Sequence, residues 1–225
     1  MKLLAVDTAL GACSAALLDG ETVLAHALEP MERGHAERLA PMVREVMNAA
    51  GIGFETLDRL AVTTGPGTFT GQRVGYAFMR ALRLALGRPL VGITTLSAMA
   101  QAAMAEAGKD AAAVLHDAKR GEVYFLLAAK EQVTISDRLV SFDEAVHAIE
   151  ERYNYSYAGL VVAGTGARPA ADALKVHGRD VAISEIAAPD ALWVARLAMT
   201  ASEPAAIPRP LYLRPPDARL PVTPS

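Results

Sequence analysis

The chain has 225 residues with 22 basic and 25 acidic side chains, a formal charge of −3, and is 52% hydrophobic against 21% charged. That composition fills a core and excludes intrinsic disorder, and the slight acidity excludes a surface built for neutralising phosphates. Length divided by roughly 150 gives about one and a half domains, the arithmetic of a bilobed fold.

A single cysteine, Cys13, excludes a disulfide framework and a Cys-based zinc or iron–sulfur site, and it suits a reduced, cytoplasmic compartment. Leu10-Gly11-Ala12-Cys13 looks like a lipoprotein cleavage box, but Asp7 interrupts the short apolar run before it, so the segment reads as a strand. There is no run of about 18 apolar residues, so no membrane span is expected.

Residues 2–6 form an apolar strand ending in Asp7-Thr8, and runs at 12–18 and 22–27 flank Asp19-Gly20, a hairpin signal because the turn needs positive φ. From His35 the period becomes helical: Leu39, Met42, Val43, Val46, Met47 and Ala50 share one face before Gly51. A strand near 58–63, a Gly/Pro loop, a helix over 69–86, a strand at 89–93 and a helix over 95–107 complete an N-terminal lobe, 1–108. The second lobe, 109–204, begins alike: strand 112–116, Asp117, a turn through Gly121, strand 122–128, then helix, strand, helix. The shared plan at Asp7 and Asp117 suggests internal duplication. Seven of the 13 prolines fall in 204–224, so residues 205–225 read as an extended arm; Arg209, Arg214 and Arg219 against Asp217 make it slightly basic.

The segment Gly65-Pro66-Gly67-Thr68-Phe69-Thr70-Gly71-Gln72-Arg73-Val74-Gly75 joins a strand to a helix. Its glycines permit close approach, Thr68 or Thr70 can cap the helix, and a helix N-terminus favours an anion. The spacing is neither a Walker loop nor a dinucleotide fingerprint. A tight strand-to-helix turn with no ligand explains it equally well.

Together with Asp7-Thr8-Ala9, His116-Asp117-Ala118-Lys119-Arg120-Gly121-Glu122-Val123-Tyr124, Gly164-Thr165-Gly166 and Tyr212-Leu213-Arg214, this loop resembles the bacterial TsaB (YeaZ) family over nearly the whole chain. The resemblance implies a duplicated actin-like ATPase fold (ASKHA, ribonuclease H-like): two α/β lobes, each a mixed five-stranded sheet flanked by helices, without ordinary ATPase activity. It implies a non-catalytic subunit that dimerises with and activates TsaD, the enzyme that places threonylcarbamoyl on the adenosine beside the anticodon of certain transfer RNAs. A TsaE-like ATPase, a homodimer, indirect contact with transfer RNA and ATP or ADP at the TsaD interface are further expectations of the resemblance.

TsaD carries a His-x-x-x-His pair on the helix after the one that follows its glycine loop, since two imidazoles four apart can grip one metal ion. Here Thr95 and Met99 occupy those positions, and no two of His26, His35, His116, His147 and His177 are three or four apart. No catalytic residue and no metal ligand is therefore assigned, and the old glycoprotease label of the superfamily gains no support.

The expected partner interface comprises Met42, Val46 and Met47 on one helix and Gly71, Arg73, Val74, Gly75, Phe78 and Leu82 on the next, where an apolar stripe is wide enough to meet both the protein's own sheet and a partner. The alternative is that the protein itself covers both helices. Asp7, Thr8, Gly65, Gly67, Thr68, Asp117, Gly164 and Gly166 form a candidate vestigial nucleotide or phosphate site, since in actin-like ATPases an aspartate from each lobe faces the phosphates and their magnesium. The alternative is that Asp7 and Asp117 merely cap turns, because Ala9 and Ala118 supply no polar companion. Were the site intact, the protein would be an autonomous ATP-dependent phosphotransferase. Lys119 and Arg120 suit phosphate, an acidic partner or a solvated turn; Cys13 suits a core; Trp193 suits core or interface packing.

Overall fold

Side chains alternate along a strand, and in β1 (Lys2–Asp7) both faces are apolar: Leu4 and Val6 point one way, Leu3 and Ala5 the other, all buried. Such a strand must lie between two covering layers. In the computed structural model, which describes residues 1–130, 132–156 and 159–214, β1 is the centre of a five-stranded mixed sheet. The sheet's other strands are β2 (Ala12–Asp19), β3 (Thr22–Pro30), β4 (Arg59–Thr63) and β5 (Leu90–Ile93), in the order β3-β2-β1-β4-β5. β2 runs antiparallel to β1 with Ser14 opposite Asp7, and β4 runs parallel to it.

The second sheet repeats the first. β6 (Ala111–Asp117), β7 (Glu122–Ala129), β8 (Gln132–Ser141), β9 (Leu160–Ala163) and β10 (Ala182–Ile183) are ordered β8-β7-β6-β9-β10, the same topology five strands on. The duplication suggested by Asp7 and Asp117 is thus complete in the fold, with β6 the counterpart of β1.

Helices α1 (His35–Ala50) and α2 (Phe69–Leu86) cover the outer face of the first sheet, packing Leu39, Met42 and Met79 on Leu4, Val6 and Val62. On the outer face of the second lie α4 (Phe142–Ser156) and α5 (Ala167–Val176). Between the sheets are α3 (Thr95–Ala107) and α6 (Ala191–Thr200). α3 sends Met99, Ala100 and Ala103 to the second sheet and Ala98 to the first, so its alanines suit a helix gripped from several sides.

One boundary differs from the expected division. α6 lies inside 109–204, yet Val194, Ala195 and Ala198 pack on Leu3, Ala5 and Ala61 of the first sheet. Arg59 at the start of β4 donates to the carbonyls of Ala198 and Ala201, both at 2.8 Å, fixing the end of α6. The reason is the two-sided apolar character of β1, whose inner face needs more cover than Ala98 of α3 supplies. Cys13 is fully buried in the first core, where desolvation pushes its thiol up to about 11. Trp193 packs beside α6's apolar face with the Arg196 guanidinium 4.4 Å from its ring. Among the described residues no helix is long and apolar enough to cross a membrane.

Candidate functional site

The loop after β1 and the glycine loop before α2 are built against each other. Thr8 donates its hydroxyl to the Gly71 carbonyl at 2.7 Å and accepts from the Gly75 N–H at 2.9 Å. A Cβ at Gly71 would stand 2.2 Å from the Thr8 carbonyl oxygen, and one at Gly67 would stand 2.4 Å from that of Ala9. Gly65 holds φ +107 with the Gln72 amide against it. Thr68 caps α2 by accepting from the Gly71 N–H at 3.1 Å. These glycines make room for the protein's own carbonyls.

Asp7 lies under this layer, fully buried. Its Oδ1 accepts from the Thr63 hydroxyl at 2.5 Å and from the Ala9 N–H at 3.1 Å, while Oδ2 has no hydrogen-bond partner among the described residues. Burial, opposed by those hydrogen bonds and reinforced by the nearby Asp190 carboxylate, pushes Asp7 up to about 7. Asp190 itself caps α6, accepting from the Leu192 N–H at 2.8 Å, and pairs with His26 at 2.7 Å.

The second lobe repeats the plan with a more open end. A Cβ at Gly164 (φ +92) would meet the Leu115 carbonyl oxygen at 2.3 Å, and the Gly166 N–H donates to that same oxygen at 2.8 Å. Asp117 is half exposed and accepts from the Lys119 N–H and Nζ, both at 2.8 Å, which holds its carboxyl below the usual range. Lys119 and Arg120 take φ +66 and +61 in the turn before Gly121.

Between the lobes opens a cleft of about 840 Å³. Its walls are Leu10, Pro66–Phe69, Gln72 and Arg73 from the first lobe, His116–Lys119, Tyr124 and Thr165 from the second, and Leu211–Arg214. Of the eight residues expected at a nucleotide site, Gly67, Thr68 and Asp117 reach this cleft, whereas Asp7, Thr8, Gly65, Gly164 and Gly166 do not. The two aspartates therefore do not face one another across it. Each instead accepts the N–H two residues on, Ala9 or Lys119, which is the turn-capping alternative. A magnesium-bound polyphosphate does not fit: the first-lobe carboxylate is sealed, and the glycine cradles are filled by carbonyls of the chain itself. The residues of the phosphotransferase reading are thus not gathered in one open site: Asp7 is buried and Asp117 lines the cleft.

Gln72, His116 and Arg214 belong to the strings that carry the resemblance, yet the sequence assigned none of them a place in a site. Gln72 is almost fully buried with Oε1 unpartnered among the described residues, and burial lowers the affinity of His116 for a proton. The arm binds both lobes: Tyr76 donates to the Pro208 carbonyl at 2.7 Å, the Leu211 N–H to Thr64 at 2.7 Å, and Arg214 to Ala118 at 2.9 Å and Glu122 at 2.5 Å. Arg209 and Arg214 belong to this described stretch; Asp217, Arg219 and the last prolines lie outside the described residues.

The expected interface is also redrawn. Met42, Val46 and Met47 are buried against the first sheet, and Gly71 and Gly75 press on Thr8, so none of the five presents a surface to a partner. Val74, Phe78 and Leu82 are half-buried against the same core. Only Arg73 of that set is exposed; its guanidinium lies 3.4 Å from the Phe69 ring centre and donates to the Tyr212 hydroxyl at 3.3 Å. The most hydrophobic stripe of each helix is the one its own sheet takes. Thr95 and Met99, where TsaD has histidines, are both fully buried, Met99 in the core between α3 and the second sheet.

This chain is 34% identical to the tRNA threonylcarbamoyladenosine biosynthesis protein TsaB of Escherichia coli over 223 residues, 95% of each chain. The chain belongs to the TsaB (YeaZ) family. The family model for TsaD, tRNA N6-adenosine threonylcarbamoyltransferase, also matches residues 23–207. The TsaB of Haemophilus influenzae is 33% identical over 88% of this chain and 85% of its own. A crystal structure from Pseudomonas aeruginosa, described by its similarity to the peptidase YeaZ, superimposes with a TM-score of 0.78 at 31% identity, covering 95% of this chain and 99% of that one. The fold is accordingly the two-lobed, actin-like α/β fold.

Proposed function

We propose that this TsaB-family chain is a non-catalytic subunit of threonylcarbamoyladenosine biosynthesis on transfer RNA, acting in the cytoplasm by docking onto a TsaD-like transferase and raising its activity. The observation that carries the non-catalytic part is the sealed Asp7: the first-lobe carboxylate that would meet phosphate and magnesium is bound to Thr63 and Ala9 beneath a closed glycine layer. The docking part rests on the exposed side of α2, where large apolar side chains remain uncovered by the chain itself. Transfer RNA is reached through the transferase, in keeping with the net charge of −3. A TsaE-like ATPase completes the assembly, and any ATP or ADP it holds sits at the boundary with the transferase and not in the interlobe cleft.

Reconstitution tests this. Threonylcarbamoyl transfer to tRNA is measured with the TsaD-like subunit, the TsaE-like ATPase and threonylcarbamoyl-adenylate, with and without this chain, and with this chain alone. Added protein is expected to raise turnover while the chain alone transfers nothing. An unchanged rate, or transfer by the isolated chain, overturns the proposal.

A further inference from the structure

The glycine cradles are filled by the chain's own carbonyls, yet the interlobe cleft keeps about 840 Å³ of space between the two lobes and the arm. Small-molecule sites span about 300–1,000 Å³ and favour such boundaries. What this one accommodates follows from its lining. Leu10, Pro66 and Leu213 make the walls apolar, and Tyr124, Tyr212 and His116 add flat rings. Burial lowers the affinity of His116 for a proton, so at about pH 7 its imidazole is neutral and supplies a ring without a charge. Gln72 also lines the cleft; it is 4% exposed, and its Oε1 has no hydrogen-bond partner among the described residues. The last torsion of a glutamine is broad, so the amide can turn that oxygen toward a donor on a ligand, and an orphaned buried acceptor favours one.

The charges narrow the choice further. Of the cations lining the cleft, Lys119 is held by Asp117 at 2.8 Å and Arg214 by Glu122 at 2.5 Å. Arg73 has no carboxylate partner among the described residues. Its Nε donates to the Tyr212 hydroxyl and its guanidinium lies 3.4 Å from the Phe69 ring centre, which fixes its direction on the exposed cleft wall. One unpaired cation matches one negative charge. A polyphosphate brings several, with Asp117 in the same cleft to repel them, and a cationic ligand meets like charge at Arg73.

We propose that the interlobe cleft binds a small aromatic monocarboxylate with an N–H on its ring: the ring lies among Tyr124, Tyr212 and His116, the N–H donates to Gln72 Oε1, and the carboxylate pairs with Arg73. The walls come from both lobes and the arm, so this ligand bridges all three. The site goes beyond the subunit role proposed above and does not depend on it.

The test uses the full chain, labelled with ¹⁵N and titrated with indole-3-acetate as the probe while amide shifts are followed by NMR. A dissociation constant below about 1 mM is expected, with shifts at Gly67, Tyr124 and Leu213 and none at Val176 on the outer helix α5. Indole-3-acetamide, the same ring without the charge, is expected to bind at least about fivefold more weakly, and 1-naphthaleneacetate, without the N–H, at least about threefold more weakly. Tryptamine and magnesium tripolyphosphate are expected to leave the cleft amides unmoved. Arg73→Ala, whose folding is checked by its melting curve, is expected to weaken indole-3-acetate at least about fivefold and indole-3-acetamide less than about twofold. The comparison among ligands on the natural sequence judges the proposal even where this variant unfolds. No saturable shift at the cleft, equal affinity of the acid for its amide or for the naphthalene analogue, equal losses of acid and amide in Arg73→Ala, or binding of tryptamine or tripolyphosphate as tight as that of the acid overturns the inference.

Discussion

The Thr63 hydroxyl donates to Asp7 Oδ1 over 2.5 Å, tying the end of β4 to the end of β1 at a point no water reaches. The other oxygen of that carboxyl is unpartnered among the described residues, and burial pushes Asp7 up to about 7. Its folded value lies above its ordinary 3.8, so the folded chain holds the proton more tightly than the unfolded chain. The contribution of Asp7 to stability is therefore greatest below about pH 4, falls as pH rises through about 7 and is flat above it, a change of a few kcal/mol from this group. Asp7→Asn keeps an oxygen for Thr63 and Ala9 and removes the titration. Urea denaturation of both proteins at pH 5, 6, 7 and 8 should show a flattened slope and a more stable variant at pH 8. An unchanged slope assigns the titration to another group.

The redrawn helix faces separate folding from assembly. Met42 is enclosed in the first core, so Met42→Ala should cost about 2–5 kcal/mol of unfolding free energy by leaving a cavity. Leu84 is 71% exposed, so Leu84→Ala should shift stability by no more than about 0.5 kcal/mol while weakening association with the TsaD-like subunit. Paired denaturation and affinity measurements check both. A stable Met42→Ala protein that fails to assemble would return the interface to the face of α1 first expected from sequence.

Gly71 tests whether the glycine loop serves packing. Ala at this position puts its Cβ 2.2 Å from the Thr8 carbonyl oxygen, a backbone atom that cannot turn aside. The first turn of α2 must shift, at a cost of about 2–4 kcal/mol. Gly11 has open space around it, so Gly11→Ala should stay within about 0.5 kcal/mol of the natural protein. Equal stability of the two variants by chemical denaturation would leave the close approach unsupported.

Arg214 fastens the arm to the second lobe through Ala118, Lys119 and Glu122, while Tyr76 and Thr64 fasten it to the first. Arg214→Ala should lower global stability by about 1 kcal/mol and speed amide exchange at Leu211 more than at Val62 in the core. Hydrogen exchange resolves the two sites; equal rates in variant and natural protein would mean that the first-lobe contacts alone hold the arm.

Residue patterns alone placed the first-lobe elements in order and pointed to the family, whereas β8 and β10 of the second lobe have no counterpart among the elements expected from sequence. The apolar periods place α1, α2 and α3, Asp19-Gly20 places the first hairpin, and the Gly65–Gly75 string with Asp117 and Gly164-Thr165-Gly166 points to the duplicated fold. These are local properties, set by backbone conformation and side-chain spacing within a few residues. What each residue faces was decided only in three dimensions. Asp7 looks like a phosphate ligand until Thr63, 56 residues on, closes over it, and Met42, Val46 and Met47 look like an interface until β1 and β4 take them as core. The same holds for α6, which the chain order gives to the second lobe and β1 draws to the first. The physical reason is common to all three: an apolar face or a buried carboxyl is matched by whichever surface folding brings against it, and that surface comes from a distant part of the chain.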